Sequence, residues 1–335
     1  MQKIIGIPRA LLYYDYYPMW KTFFEALDCK VILSDETTTE IMNWGIESTV
    51  DDVCLPVKIY HGHIRNLIKK NPDYIYIPRI VSICKGEYIC PKFSGLPDMI
   101  KYNIKGLPSI ISPIIDWSKN KKELINVVYD IGSIFTKNPY KIWMAYRKGK
   151  TQLKIYESLL KRGLMPDKAI EVIKDNKGII SSKTNKKPYN VLLLGHTYNI
   201  YNTFINMNIV DKLGKMGCNV IMPEQLSREN IEKGAQEFPR RIFWTMSKKL
   251  VGNYFHYIKL NKIDGIIYLI SFGCGPDSLI GELIWKWAKK SGEIPFMFMT
   301  LDEHTGEAGF NTRLEAFADM IERRAIYEDY VSASR

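Results

Sequence analysis

The chain has 335 residues, of which 46% are apolar and 12% aromatic, so it can bury more than one core and is expected to form about two domains. It has neither a long uninterrupted apolar run nor the pattern of a signal peptide, which predicts a cytoplasmic protein with no membrane partner. The net charge of +11 would suit a nucleic-acid surface. The lysines are scattered, however, and no base-stacking aromatics lie among them, so no nucleic-acid partner is predicted.

The first half of the chain alternates short apolar runs with helical patterns. The predicted strands are Lys3–Ile7, Lys30–Leu33, Tyr74–Ile77 and Ser109–Ile115, and the predicted helices are Pro18–Leu27 and Pro56–Lys70. This alternation indicates a parallel sheet covered by helices.

The second half repeats the alternation after a helical middle segment. Its predicted strands are Asn190–Leu194, Asn219–Met222, Gly265–Ile270 and Pro295–Met299, and its predicted helices are Ile200–Lys215 and Pro276–Lys290. Helical periodicity over Lys121–Lys174 predicts a bridge, and the polar stretch Ser181–Lys187 predicts a flexible linker. The predicted fold class is therefore α/β, with two tandem Rossmann-like parallel-sheet domains, 1–118 and 188–325, joined by a helical bridge and linker over 119–187. The second domain would end in a C-terminal helix.

An internal repeat supports two similar domains. Phe23–Leu33 and Val210–Met222 each predict a helix, a tight turn and a strand, with Cys29 and Cys218 at matching positions. We interpret these two cysteines as buried thiols that contact no metal and that superpose when the domains are overlaid.

The remaining cysteines divide into two kinds. Thiols stay reduced in the cytoplasm, so metal ligation becomes more plausible than a disulfide framework. Cys54, Cys90 and Cys274 are each followed by proline within two residues, whereas Cys84 is not. Proline favours the first turn of a helix, so Cys54 and Cys274 are expected to cap helices, whose N-terminal N–H groups stabilise a thiolate. Cys274 also ends a strand, at the sheet edge where open α/β folds bind ligands.

Two other interpretations of these thiols remain open. They could be three unrelated, half-buried cysteines, because no CxxC pair is present. A structural zinc site is less well supported, since such sites usually have closely paired ligands and four of them.

Six segments together resemble a known family. They are IGIPRAL (Ile5–Leu11), CLPVKIYHGH (Cys54–His63), YICPKFSGLPDM (Tyr88–Met99), GHTYNIY (Gly195–Tyr201), FGCGPDS (Phe272–Ser278) and LDEHTGEAGFNTRLEAF (Leu301–Phe317). The chain resembles the iron–sulfur subunits of 2-hydroxyacyl-CoA dehydratases and benzoyl-CoA reductases and the related double-cubane cluster proteins. It is most similar to the shorter branch labelled acyl-CoA dehydratase activase-related protein, or CoA protein activase.

The resemblance implies that Cys54, Cys90 and Cys274 ligate an iron–sulfur cluster, of 4Fe–4S or double-cubane type. Their sulfurs are then expected within about 7 Å of each other, in a cleft that both domains share. Cys84 does not match the family pattern, and Thr197 stands where proline is expected. The resemblance further implies an ATP-hydrolysing activator protein as partner, a homodimer or a related iron–sulfur subunit, and acyl-CoA as a candidate ligand.

Other polar residues have two interpretations each. His61 and His63 could donate to a cluster or substrate, but two polar residues on a helix face explain them better. A polar site and an interdomain salt-bridge network explain the last segment equally well, which contains Asp302, Glu303, His304, Glu307, Arg313 and Glu315. Gly195-His196 follows a strand, but neither phosphate-loop pattern is present, so ATP is not expected to bind there.

Two functions follow from these features. The chain could be a reductase or dehydratase component that passes a low-potential electron after charging by the ATP-hydrolysing activator. It could instead be a non-catalytic electron relay or scaffold for a separate catalytic subunit. A pocket beside the cluster would favour the first function, and a sealed cluster the second.

Overall fold

The computed structural model describes residues 1–118, 121–175, 187–291 and 294–333. The chain divides into two compact units, one formed by Met1–Gly178 with Ile242–Met246 and the other by Ile179–Arg241 with Ser247–Arg335. Within the described ranges, every helix is too short or too polar to span a membrane.

The first unit contains a four-stranded parallel sheet and a separate parallel pair. Its strands are β1 (Ile4–Ile7), β2 (Lys30–Leu33), β3 (Tyr74–Tyr76), β4 (Arg79–Ser82), β5 (Ser109–Ile111) and β6 (Ile114–Asp116). The larger sheet has the order β2-β1-β3-β5, and β4 pairs with β6.

The single strand predicted over Ser109–Ile115 is wrong. It consists of β5 and β6, which belong to different sheets and are separated by Ser112 and Pro113. Proline has no N–H group to donate to a neighbouring strand. The Pro113 carbonyl oxygen accepts from the backbone N–H of Arg79, the first residue of β4, at 2.9 Å. The chain therefore changes sheets at this proline.

Seven helices of the first unit lie in the described ranges. They are α1 (Tyr13–Ala26), α2 (Thr39–Glu47), α3 (Leu55–Lys69), α4 (Pro91–Asn103), α5 (Lys121–Ser133), α6 (Pro139–Lys161) and α7 (Pro166–Asp175). The sequence analysis did not predict α2 or α4.

Helix α1 begins five residues before the predicted start at Pro18. Pro18 lies inside the helix and cannot donate to the carbonyl of Tyr14, four residues earlier. The Tyr156 hydroxyl on α6 donates to that carbonyl at 2.7 Å. A bond from another helix therefore replaces the missing helical bond, and the proline is accommodated.

The middle helices α5, α6 and α7 fall within the range of the first unit. Helix α6 packs against α1, and a Cβ at Gly149 would lie 2.8 Å from the Met19 carbonyl oxygen. The glycine permits this close approach. Of the predicted linker Ser181–Lys187, residues 181–186 lie outside the described ranges.

The second unit has a four-stranded parallel sheet of order β10-β9-β7-β8. The strands are β7 (Tyr189–Gly195), β8 (Cys218–Ile221), β9 (Gly265–Ser271) and β10 (Phe296–Leu301). The helices are α8 (Thr197–Ile200), α9 (Ile209–Lys215), α10 (Arg228–Gln236), α11 (Thr245–Leu260), α12 (Gly275–Ser291) and α13 (Glu307–Ala333), with a short 3₁₀ helix over Pro223–Gln225. The helix predicted over Ile200–Lys215 is in fact α8, a loop and α9.

The two main sheets have the same strand order, since β2-β1-β3-β5 corresponds to β8-β7-β9-β10. The turn before the second strand of each sheet has a residue with positive φ, 62° at Asp28 and 81° at Gly217. Strands β7 and β9 are almost entirely buried and form the centre of the second core. The predicted α/β class with Rossmann-like parallel sheets is confirmed.

Candidate functional site

Cys54, Cys90 and Cys274 each lie directly before the first residue of a helix. Cys54 is the N-cap of α3, Cys90 is the N-cap of α4, and Cys274 precedes α12. The proline that follows each cysteine occupies the first or second helical position, where a missing N–H costs nothing. All three residues are partly buried. The predicted helix-cap positions of Cys54 and Cys274 are confirmed, and Cys90 shares them.

Cys54 and Cys90 both belong to the first unit. Burial raises the pKa of the Cys54 thiol, and the charge of the Cys90 thiolate raises it further. The Lys92 ammonium and the Val57 N–H act in the opposite direction and lower the pKa of Cys54. Burial is the largest of these effects, so the free Cys54 side chain favours the thiol form. Cys274 belongs to the second unit.

Cys29 and Cys218 have the environment of packing residues. Both are buried, with 3% and 0% of their surface exposed. Their S–H groups donate to the carbonyls of Leu27 at 3.8 Å and Met216 at 3.9 Å, each two residues earlier. Burial raises the pKa of Cys29 to about 11 and also raises that of Cys218. Their prediction as buried thiols is confirmed.

Cys84, which is partly buried, forms a β-bridge with Glu87 and lies on no helix.

His61 and His63 lie on helix α3, as predicted, and both are fully buried. Nδ1 of His61 lies 2.8 Å from the Val57 carbonyl oxygen, to which it donates, and the Asn103 amide approaches Nε2 at 3.5 Å. The ring nitrogens of His63 lie 2.8 Å from Ser34 Oγ and 3.0 Å from Thr37 Oγ1. Burial lowers the pKa of His63 to about 3. Both rings are neutral parts of the core, with every nitrogen partnered.

A buried polar cluster lies at the carboxyl edge of the second sheet. His196 follows β7, and Asp277 lies in the first turn of α12, three residues after Cys274. Nε2 of His196 is 3.0 Å from Oδ1 of Asp277, and the Tyr268 hydroxyl on β9 donates to the same oxygen at 3.3 Å. Burial, followed by the charge of Asp277, raises the pKa of Tyr268 far above its usual value. The tyrosine therefore stays protonated and remains a donor.

The cluster continues through a second group of buried polar side chains. Ser271 Oγ donates to Asn199 Oδ1 at 2.7 Å, and Asn206 Nδ2 donates to the carbonyls of Asn199 and Ile200 at 2.8 and 2.6 Å. Within the part of the chain that the structure describes, Asn199 Nδ2, Asn206 Oδ1 and Asp277 Oδ2 are buried without a hydrogen-bond partner. Buried polar atoms are nearly always paired, so unpaired ones indicate a missing ligand or water.

The acidic C-terminal segment is more exposed and makes contacts within its own unit. Lys212 Nζ lies 2.6 Å from Glu307 Oε1 and 2.7 Å from Asn311 Oδ1. Arg313 donates to the Phe298 carbonyl. His304 is exposed, with Nδ1 3.6 Å from Asp302 Oδ1. These contacts hold α9, β10 and α13 together within the second unit.

The turn after β7 is shaped by packing. A Cβ at Gly195 would lie 3.0 Å from the Leu269 carbonyl oxygen on the neighbouring strand β9. Thr197, which stands where proline was expected, is buried and begins the short helix α8. Close packing against β9 therefore explains why position 195 is a glycine.

A protein-family model described as "CoA enzyme activase uncharacterised domain (DUF2229)" matches residues 4–226, about two thirds of the chain. The chain belongs to this family. A search of curated proteins found no match. The match agrees with the activase-related branch of the predicted resemblance.

The family match covers the first unit and the beginning of the second. It includes Cys54, Cys90 and His196 and ends before Cys274 and Asp277. Of the polar cluster, His196, Asn199 and Asn206 fall within the matched range, whereas Tyr268, Ser271 and Asp277 follow it.

Sequence reasoning missed Asp277, Tyr268 and Asn199. A signal for Asp277 was present, because it follows Cys274 by three residues and so shares the first helical turn. Tyr268 and Asn199 gave no such signal, since their roles depend on the pairing of β7 with β9.

Proposed function

We propose that this protein is an activator-type component for an acyl-CoA dehydratase and that Cys54, Cys90 and Cys274 ligate an iron–sulfur cluster. The observation that carries the proposal is the common placement of the three thiols, each directly before a helix that has proline in its first two positions. Membership of the CoA enzyme activase family supplies the partner class.

The donor chemistry fits such a cluster. Thiolates are the usual protein ligands of iron–sulfur clusters. Free N–H groups and the positive dipole end of a helix favour a thiolate beside them. On Cys54, Lys92 acts in that direction, against burial, which raises the pKa of this thiol. All three cysteines are partly buried, whereas Cys29 and Cys218 are buried.

When bound, an iron–sulfur cluster would supply low-potential one-electron transfer. The role of this chain would be to hold the cluster thiolates and to exclude water from them. The chain has no GxGxxG or GxxxxGK[ST] pattern, so ATP hydrolysis is assigned to a separate partner protein.

The test is iron and sulfide analysis of the full chain, purified without oxygen and reconstituted. Cys54→Ser, Cys90→Ser and Cys274→Ser should each lose most of the bound iron and the visible absorption of the cluster. Cys84→Ser is the matched control, because Cys84 is also partly buried but precedes no helix. Retention of iron by all three variants, or its loss with Cys84→Ser alone, would contradict the ligand assignment.

The partner assignment needs its own measurement. The loaded protein should bind a purified acyl-CoA dehydratase in sedimentation velocity and, with ATP and the ATP-hydrolysing partner, raise its activity. Binding and activation that are the same with the Cys274→Ser variant would separate the activator role from the cluster.

A further inference from the structure

His196, Cys274 and Asp277 bring three different metal-binding groups together within the second unit. One ligand atom from each residue lies within 4.8 Å of the other two, and the imidazole and the carboxylate are already 3.0 Å apart. His196 and Asp277 are 6% and 0% exposed, and Cys274 is partly buried. His196 and Asp277 are therefore shielded from water, and Cys274 is the more accessible of the three donors.

The Asp277 carboxylate supplies an independent observation. Oδ1 accepts from Tyr268 and faces His196, whereas Oδ2 is buried without a partner among the described residues. A buried carboxylate oxygen without a donor is costly, and a cation removes this cost. The nearby groups that face this oxygen's carboxylate are Tyr268, His196 and Cys274.

The chemistry of the donors favours one class of ion. Imidazole, thiolate and carboxylate together suit zinc, ferrous iron or cobalt, whereas calcium and magnesium prefer oxygen ligands. Metal–ligand bonds of about 2.0–2.3 Å place tetrahedral donors roughly 3.3–3.8 Å apart. Because the three donor atoms lie within 4.8 Å of one another, binding needs a contraction of at most about 1.5 Å, which a side-chain rotation can supply.

We propose that His196, Cys274 and Asp277 bind one divalent transition-metal ion in a three-ligand site with an open fourth position. The site lies within the second unit and needs neither Cys54 nor Cys90, so the inference goes beyond the proposed function and does not rest on it. Because Cys274 belongs to both ligand sets, the single ion and the cluster compete for one thiolate. Tyr268 positions Asp277 by donating to Oδ1.

Cobalt binding to the full-length apo protein tests this proposal. We expect one cobalt ion per chain, with visible bands of a tetrahedral site and a thiolate-to-cobalt charge-transfer band. The charge-transfer band should disappear with Cys274→Ser. His196→Gln and Asp277→Asn should weaken binding at least about 100-fold, and Tyr268→Phe about 10-fold to 100-fold, as expected for a residue that orients a ligand.

Two controls define the site. Cys54→Ser should leave the cobalt spectrum unchanged, and a spectrum that depends on Cys54 would overturn the proposal. His304→Gln tests the other group of candidate ligands, Asp302, Glu303 and His304. Loss of binding with His304→Gln but not with His196→Gln would place the ion there and would equally overturn the proposal.

A measurement on the unaltered protein covers variants that fail to fold. Zinc should slow the alkylation of Cys274 by iodoacetamide at least about 10-fold, in line with ligation of its thiolate, while leaving Cys84 unaffected. Equal alkylation rates with and without zinc would refute the site. Failure of the cluster alone would appear as absent iron with normal cobalt binding, so the two proposals can be distinguished.

Discussion

Both units bury histidine, but they surround it differently. In the first unit, His63 is fully buried and each ring nitrogen has a hydroxyl within 3.0 Å. In the second unit, His196 pairs with Asp277, whose other carboxylate oxygen has no partner among the described residues. Complete pairing is typical of a structural group, whereas an unpaired buried oxygen beside a thiol and an imidazole indicates a ligand site. Hydrogen-bond partners therefore distinguish a structural histidine from one at a ligand site better than burial does.

Glycine substitutions test whether helices in both units pack as closely as the structure shows. They have the largest expected effect on the free energy of unfolding. A Cβ at Gly62 would lie 1.8 Å from the Ile41 carbonyl oxygen, and one at Gly252 would lie 2.3 Å from the Ile231 carbonyl oxygen. Backbone atoms cannot rotate away, so Gly62→Ala and Gly252→Ala should each cost about 3 kcal/mol of unfolding free energy.

Urea denaturation monitored by circular dichroism measures these losses. Gly95→Ala is the control, because a Cβ there meets nothing within 4 Å on helix α4. It should be neutral or stabilise by up to about 1 kcal/mol, because alanine favours helix. A Gly62→Ala variant as stable as the parent would show that Gly62 does not lie against the Ile41 carbonyl group.

His63 should make the stability of the protein depend on pH. Its pKa is about 3 in the folded state and near 6.5 when unfolded, so the unfolded chain binds more protons between these values. The contribution of unprotonated His63 to the free energy of unfolding is therefore fully present above pH 6.5 and is lost as the pH falls. Between pH 7 and pH 5 we expect a loss of about 2 kcal/mol, which His63→Asn should largely remove.

The control for this pH effect is His304→Gln, a histidine substitution at an exposed position. Denaturation midpoints at several pH values supply the measurement. An unchanged pH dependence in the His63→Asn variant would mean that His63 is accessible to water and protonates in the folded state.

Two serines at the carboxyl ends of strands sharpen the comparison further. Ser34 Oγ accepts from the Arg9 N–H at 2.8 Å and contacts His63, so Ser34→Ala leaves two groups without that partner. Ser271 Oγ donates to Asn199 Oδ1, so Ser271→Ala removes one bond from a network that already has gaps. We expect losses of about 2 kcal/mol and about 1 kcal/mol, respectively, in thermal or urea unfolding. The reverse order would show that the second network is the more complete one.

Much of the fold was predictable because it depends on local patterns. The strand and helix alternation predicted parallel sheets, and the repeat around Cys29 and Cys218 predicted two similar domains, whose main sheets share one strand order. The errors have identifiable causes. The start of α1 was missed because Tyr156, far along the chain, supplies the bond that Pro18 cannot. The division of β5 from β6 depends on strand partners that no local pattern reveals.

The candidate site was predictable only in part. Proline after Cys54 and Cys274 predicted their positions before helices, since proline favours the first turn, whereas the same position of Cys90 was not predicted. The pairing of His196 with Asp277 was not predicted, because the two residues are 81 positions apart (277 − 196) and meet through adjacent strands. Whether a buried atom has a partner depends on all its neighbours, and the sequence pattern contains no such information.

Exposed ion pairs are a third class of polar group, and they should contribute least. Lys212 Nζ lies 2.6 Å from Glu307 Oε1, and the glutamate side chain is 66% exposed. Water and salt screen such a pair, so Glu307→Gln should cost less than about 1 kcal/mol, and less still in 1 M salt, where the Debye length falls to about 3 Å. Glu229→Gln is the control, because Glu229 pairs with Lys233 at 2.7 Å and both side chains are exposed. Urea denaturation at low and high salt measures both variants. A salt-independent loss above about 2 kcal/mol for Glu307→Gln alone would mean that Glu307 belongs to a buried network. The acidic segment would then resemble the buried pair of His196 and Asp277.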